Sequence, residues 1–170
     1  MKPLHENSGK KSREFKIWKL FVVDYVIRQL IAGWADWNKV INRHHNHVEF
    51  DKTKGVWIHR KGATHAEQGM MGVVPGNMRD GTFIVEGQGC SDSLCSSSHG
   101  AGRIMSRAEA KKQVSMDDFA QAMEGIAAKV NDHTLDESPM CYKPIDQVMA
   151  DQTDLVRVLH RIVPIINVKG

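Results

Sequence analysis

Disulfide chemistry has little to work with in this chain. Of 170 residues only three are cysteine, Cys90, Cys95 and Cys141, an odd set whose spacing matches neither a C-x-x-C redox pair nor a zinc knuckle. Free thiols in a reducing, cytoplasmic setting are the expectation. Long apolar runs are missing as well, since no stretch approaches the roughly 18 apolar residues of a membrane span. The segment "IWKLFVV", which follows Lys10, Lys11 and Arg13, is interrupted by Asp24 with no small-residue cleavage site after it. That argues against a secretory leader. A dominant charge is also absent: 23 basic residues face 20 acidic ones, for a net charge of +3. Such a balance permits polyanionic partners without demanding them. What remains, 41% hydrophobic and 25% charged residues, is the composition of an ordinary globular domain and excludes wholesale disorder.

Residues 1–14 are polar and read as a flexible tail, with 15–170 as the folded portion. From Phe15 onward, Trp18, Phe21, Val22, Tyr25, Leu30, Trp34, Trp37 and Ile41 recur at helical spacing, which predicts a long helix with a packed aromatic face. Between about 44 and 90 that period gives way to short apolar runs divided by glycines, "GVWIHRKGA", "MMGVVPGN" and "GTFIVEGQG", the signature of strands and turns. Within "VWIHR" the pleat sets Val56 and Ile58 on one face, with Trp57 and His59 on the other.

Helical signals return after the serine-rich loop, at 103–112 and in "SMDDFAQAMEGIAAKV". In the latter, Ser115 and Asp118 suit a capping box, and Phe119, Met123, Ile126 and Val130 form a stripe. A last helix is expected from Pro144 toward His160, with Ile145, Val148, Met149, Val156 and Leu159 inward. The end, "IVPIINVKG", reads as a terminal strand broken by Pro164. The order predicts an α+β fold: a long N-terminal helix, a central mixed strand cluster, two C-terminal helices and a terminal strand.

The chemistry concentrates in four stretches. "SSSHGAGRIMSR" isolates His99 between serines and the glycines Gly100 and Gly102, and sets Arg103 and Arg107 one helical turn apart downstream. Small neighbours let a bulky group reach the imidazole. A helix starting near Arg103 would aim free N–H groups at the same place, and two guanidiniums could hold a phosphate. A neutral imidazole beside phosphates can itself attack phosphorus. In "NRHHNHVEF" an extended backbone points His45 and His47 the same way and Asn46 opposite, which suits two metal ligands or one ligand beside a polar contact. "IHRKGAT" ends a strand with His59, Arg60 and Lys61, and "VVPGNM" offers a proline-glycine turn whose backbone could bond a base.

Taken in order, HHN, RKGA, PG-x-M and HGAGR-x-MSR resemble the C-terminal part of the RtcB family of RNA ligases, over roughly residues 40–170. "PMCYKPIDQVMADQTDLV" and the closing "VKG" are similar to that family's C-terminal run. The resemblance implies an RtcB-like fold and an enzyme that joins RNA 3′-phosphate or 2′,3′-cyclic phosphate ends to 5′-hydroxyls with GTP and manganese (Mn2+). By motif position His99 is the guanylylated nucleophile, His45 a manganese ligand, and Asn46 a neighbour of the nucleotide. Pro75, Gly76, Asn77, Met78 and Thr82 would hold the guanosine, Gly100, Ala101 and Gly102 would line the nucleotide, and Lys169 would contact guanine. Lys61, Arg103 and Arg107 fall where the family places cations near phosphates.

Two features depart from the family. Asn77 and Arg79 stand where PGSMG has serine and glycine, and the aspartate, cysteine and further histidine ligands of the family's N-terminal part are missing from this chain. The expected partners are therefore RNA and a separate N-terminal ligase fragment that completes the site. The alternative is a catalytically inert piece that binds RNA, nucleotide or a partner subunit.

Overall fold

The computed structural model describes residue 36 and residues 40–168. The expected N-terminal helix, its tryptophans Trp18, Trp34 and Trp37, and Lys169 lie outside the described residues. Every strand and helix named below belongs to one compact unit, Ile41–Gly170.

The described strands form four small sheets, two of them built on hairpins. β1 (Asn46–Asp51) and β2 (Val56–Lys61) pair antiparallel from Asn46 opposite Lys61 to Asp51 opposite Val56. Their turn closes because an Asp51 carboxylate oxygen accepts from the N–H groups of Thr53 and Lys54 at 2.9 and 3.1 Å, and Gly55 takes a positive φ of 68°. β2 alternates as its sequence pattern requires. Ile58 and Arg60 are buried, while Trp57 lies exposed against Phe50 on the opposite face.

β3 (Ala63–His65) pairs antiparallel with β6 (Ser96–Ser98). β4 (Met71–Pro75) and β5 (Thr82–Gly87) form the second hairpin, and β8 (Val156–Ile162) adds to the far edge of β5. β7 (Ala127–Ala128) and β9 (Ile166–Asn167) complete a short parallel pair.

The helices are short. α1 (Arg107–Gln113) starts on Ser106, whose hydroxyl accepts from Glu109 N–H while Glu109 takes Ser106 N–H, a reciprocal capping box. α2 (Met116–Ala122) starts on Ser115, which caps Asp118 N–H as its sequence suggests. α3 (Ile145–Ala150) follows Pro144. Two 3-10 turns, Leu135–Glu137 and Pro139–Cys141, lie between α2 and α3.

Two apolar clusters hold this together. Val74, Phe83, Val85 and Val156 from the three-stranded sheet pack with Ala66, Ala101, Ile145 and Met149. Phe119, Met123, Leu135 and Met78 form the second cluster. Each fully buried side chain of this size contributes about 1.5–3 kcal/mol.

The α+β class is met by a fold of few helices and several small sheets, but the sequence-based boundaries need correction. Helix does not begin near Arg103; it begins at Arg107, where Ser106 provides the cap. α2 stops at Ala122 rather than continuing toward Val130, with Gly125 in the left-handed region at φ 83°. Ile126 and Val130 nevertheless still pack on the Phe119 cluster. The largest difference is at the end: α3 stops at Ala150, and Val156–Ile162 is a strand, not helix.

Candidate active site

Gly62 is the joint on which the site is built. It lies between β2 and β3 and holds φ 75°, so the chain turns there from one ladder to the other. Its N–H donates to His45 O at 3.1 Å, and its carbonyl accepts from the His99 ring at Nδ1, 2.6 Å away. His45 and His99 are thereby brought face to face, with ring centroids 5.3 Å apart and planes 18° from parallel. A carbonyl can only accept, so Nδ1 of His99 carries the proton. In the neutral ring Nε2 is then left with an open lone pair.

The residues on either side of His99 are held from behind. Ser98 gives both its N–H and its hydroxyl to Oε1 of Gln152, at 3.0 and 3.1 Å. Gln152 is itself buried, its amide nitrogen against Met149 Sδ. Gly100 runs so close to β4 that a Cβ there would sit 2.9 Å from the Pro75 carbonyl oxygen, and Ala101 N–H donates to that same oxygen at 2.9 Å. The glycine at 100 is thus required by backbone packing against Pro75. Gly102 has φ 76° with open space around it.

Pro75 links this loop to a cavity of about 250 Å3 lined by Pro75, Gly76, Asn77, Met78 and Thr82 together with Glu137, Tyr142 and Asn167. The five residues expected to hold a guanosine all line it. The volume is slightly below the ~300 Å3 at which small-molecule pockets begin. Asn77 spends its side chain on the turn itself: Oδ1 accepts from Arg79 and Asp80 N–H at 2.9 Å each, and Nδ2 donates to Asp80 at 2.7 Å. Arg79 leaves the turn and donates to Ala122 O at the end of α2. The two departures from PGSMG therefore leave a well-formed turn. A larger cleft of about 650 Å3 around Arg79, Val114 and Gln121 contains none of the expected site residues.

The cations are arranged differently from expectation. Arg103 donates to Asp136 O at 2.6 Å, Met105 O at 3.1 Å and the Tyr142 hydroxyl at 3.2 Å, and lies over the Tyr142 ring. Arg107 pairs with Asp136 and Glu137, both at 2.9 Å. Both guanidiniums thus converge on the Asp136–Glu137 segment of the chain itself, Arg107 on the two carboxylates and Arg103 on a backbone carbonyl with the Glu137 carboxylate 3.7 Å away, although Arg103 lies ahead of α1. Lys61 is exposed opposite Asn46, whose side-chain oxygen is 3.3 Å from His59 Nε2.

A family model described as tRNA-splicing ligase RtcB matches residues 20–170. The chain belongs to the RtcB family. It is 45% identical over 132 residues to the RNA-splicing ligase RtcB of Escherichia coli strain K12, a match covering 76% of this chain and 32% of that protein. To the tRNA-splicing ligase RtcB of Nanoarchaeum equitans it is 29% identical over 185 residues, 84% of this chain and 39% of the other. The corresponding protein of Aeropyrum pernix is 35% identical over 143 residues, 70% and 29% of the two chains. This RtcB chain spans about a third of the length of the curated relatives it matches.

Sequence reasoning missed several residues of this candidate site. Gln152 was seen only as part of a resembling run, and its contact with Ser98 spans 54 positions. Tyr142 and Glu137 on the cavity wall are coupled, the phenol donating to the carboxylate. Burial, then that hydrogen bond and the carboxylate's charge, push the Tyr142 pKa up to about 12. Tyr142 falls within the "PMCYKPIDQVMADQTDLV" run, whereas nothing in the sequence marks Glu137.

Manganese, implied by the RtcB resemblance, is not matched by the residues around His45. That histidine joins no group of three potential ligands among the described residues, whereas such an ion takes about six. No helix among the described residues is long and apolar enough to cross a membrane.

Proposed function

We propose that this chain is the portion of an RNA ligase that carries the reacting histidine, working with an N-terminal portion to join RNA 3′-phosphate or 2′,3′-cyclic phosphate ends to 5′-hydroxyls with GTP. The observation that carries the reading is the contact of His99 Nδ1 with the Gly62 carbonyl, which leaves Nε2 as the free nucleophile. Attack by Nε2 on the α-phosphorus of GTP would form an N–P bond as the bond to the β-phosphate oxygen breaks and pyrophosphate leaves. The Nδ1–H bond to Gly62 steadies the positive charge that develops on the ring. An oxygen of the RNA 3′-phosphate then attacks that phosphorus, the N–P bond breaks and His99 is free again; a 5′-hydroxyl next attacks the activated 3′-phosphate, loses its proton and expels GMP.

The cavity wall of Pro75, Gly76, Asn77, Met78 and Thr82 supports guanosine binding one residue step from the Gly100 loop. Lys61 and Asn46, exposed on the adjoining strands, are proposed to meet phosphates and nucleotide, Gly102 to let the nucleotide approach, and Lys169 to contact guanine. Bound manganese would draw charge off phosphorus, with its remaining ligands supplied from outside the described residues.

The test supplies an N-terminal ligase portion, manganese and α-labelled GTP, then looks for an acid-labile GMP adduct on this chain. His99→Ala should abolish the label. Absence of label on the unaltered chain under those conditions rejects the reading. One observation favours a second reading, a piece that binds RNA or a partner without reacting: Arg103 and Arg107 are already paired with Asp136 and Glu137. RNA retained equally by the unaltered chain and His99→Ala, with no adduct, would support it.

A further inference from the structure

The inner face of the first hairpin carries a second cluster that the ligation reading does not use. His47 and Glu49 are two apart on β1 and so share a face, and His65 on β3 completes a group whose ligand atoms all lie within 4.8 Å of one another. We propose that His47, Glu49 and His65 form a binding site for a divalent transition-metal ion of the zinc class, separate from His45 and His99.

Two observations carry this. First, the spacing suits an ion better than hydrogen bonds. Glu49 Oε2 stands 3.5 Å from His65 Nδ1 and 3.8 Å from His47 Nε2, both beyond ordinary hydrogen-bond length. Ligands 2.0–2.2 Å from zinc at tetrahedral angles are about 3.3–3.6 Å apart. Second, the surrounding groups orient the ligands. His65 directs its other nitrogen, Nε2, at Glu67 Oε1 3.2 Å away, the carboxylate–histidine arrangement that fixes the ring of a metal-bound imidazole. Arg60 takes Oε1 of Glu49 and is itself anchored on Ser96 Oγ and Leu94 O at 2.8 Å each, so the carboxylate is held with Oε2 turned to the histidines.

Two imidazoles and one carboxylate are a borderline donor set that favours zinc over magnesium or calcium. Three protein ligands leave a fourth position open. Glu49, His65 and Glu67 also line a cleft of about 500 Å3, which gives an ion and its water a way in. The Arg60 charge beside Glu49 opposes a cation and sets an upper limit on affinity, but its own hydrogen bonds hold it on the far oxygen.

The experiment titrates zinc chloride into the full chain, freed of metal by chelation, by calorimetry near neutral pH. One ion per chain is expected. His47→Gln combined with His65→Gln should abolish binding, Glu67→Gln should weaken it about 10–100-fold, and His45→Ala should leave it within twofold. No binding by the unaltered chain, binding that survives in the double variant, or binding lost only with His45→Ala overturns the proposal. Cobalt added to the unaltered chain locates the site without substitution. The largest paramagnetic shifts should fall on the rings of His47 and His65; the largest shifts on His45 and His99 would refute it. The site stands or falls independently of whether His99 reacts with GTP.

Discussion

Replacing Gly62 with alanine separates the backbone's role from the side chains'. At φ 75° an alanine sits in the left-handed region, which costs about 1–2 kcal/mol, and stiffening of the unfolded chain offsets roughly 0.4–1 kcal/mol of that. A net loss of about 1 kcal/mol is a roughly fivefold fall in the folded-to-unfolded ratio. Steric crowding adds little, because the nearest atom to the new Cβ is His99 Cε1 at an ordinary 3.7 Å. Gly69 is the control: its φ is 77° with nothing within 4 Å, so Gly69→Ala should cost about the same in urea denaturation. Only Gly62 also bonds His45 and the His99 ring. Long-range proton–nitrogen spectra of the histidine rings should show His99 protonated at Nδ1 in the unaltered chain, and a mixture of tautomers in Gly62→Ala but not in Gly69→Ala. Equal His99 spectra in the two variants, or full stability in Gly62→Ala, would refute the role given to this joint.

Gln152→Leu strips Ser98 of the acceptor for both its N–H and its hydroxyl, and should cost about 1–3 kcal/mol in denaturation while speeding exchange of the Ser98 amide. An unchanged amide would show that Gln152 does not hold the His99 loop. Tyr142 gives a pH signature. Its folded pKa, about 12, lies above the unfolded value near 10, so the stability it adds is complete below pH ~10 and fades as pH rises toward 12. Tyr142→Phe should therefore be less stable than the unaltered chain at neutral pH by about 0.5–1.5 kcal/mol, with the gap closing in alkali. A gap that stays constant or widens contradicts the assignment.

Much of the site could be read in the sequence because short motifs pin short loops. The bare glycines about His99 and the PG-x-M turn are local signals, and the structure sets Gly100 against Pro75 of that turn, beside a cavity that the turn residues line. The tail of the chain was harder. Ile145, Val148 and Met149 have helical spacing, and Val156 and Leu159 prolong it, so one long helix fits the apolar residues alone. The polar "DQTD" between them is the turn that ends α3 at Ala150, after which alternating Val156 and Val158 pair with β5. The arginines illustrate a different limit. Helical spacing put them one turn apart, but Arg103 lies ahead of α1, and the two meet only on Asp136 and Glu137, some thirty positions away, through tertiary packing. For the same reason His47, Glu49 and His65 form a cluster only once β3 is placed beside the hairpin.

The pairing of Arg103 and Arg107 with Asp136 and Glu137 changes what a phosphate would meet on that face. It would displace a tethered carboxylate instead of loosely condensed ions, so capture becomes an exchange of one anion for another. Each such contact should then release fewer counterions than the ~0.9 expected for a free cation, giving a shallower ionic-strength dependence than two arginines would suggest. A singly charged ligand gains little from that trade, whereas one offering several oxygens to the same fork can outcompete the resident acids.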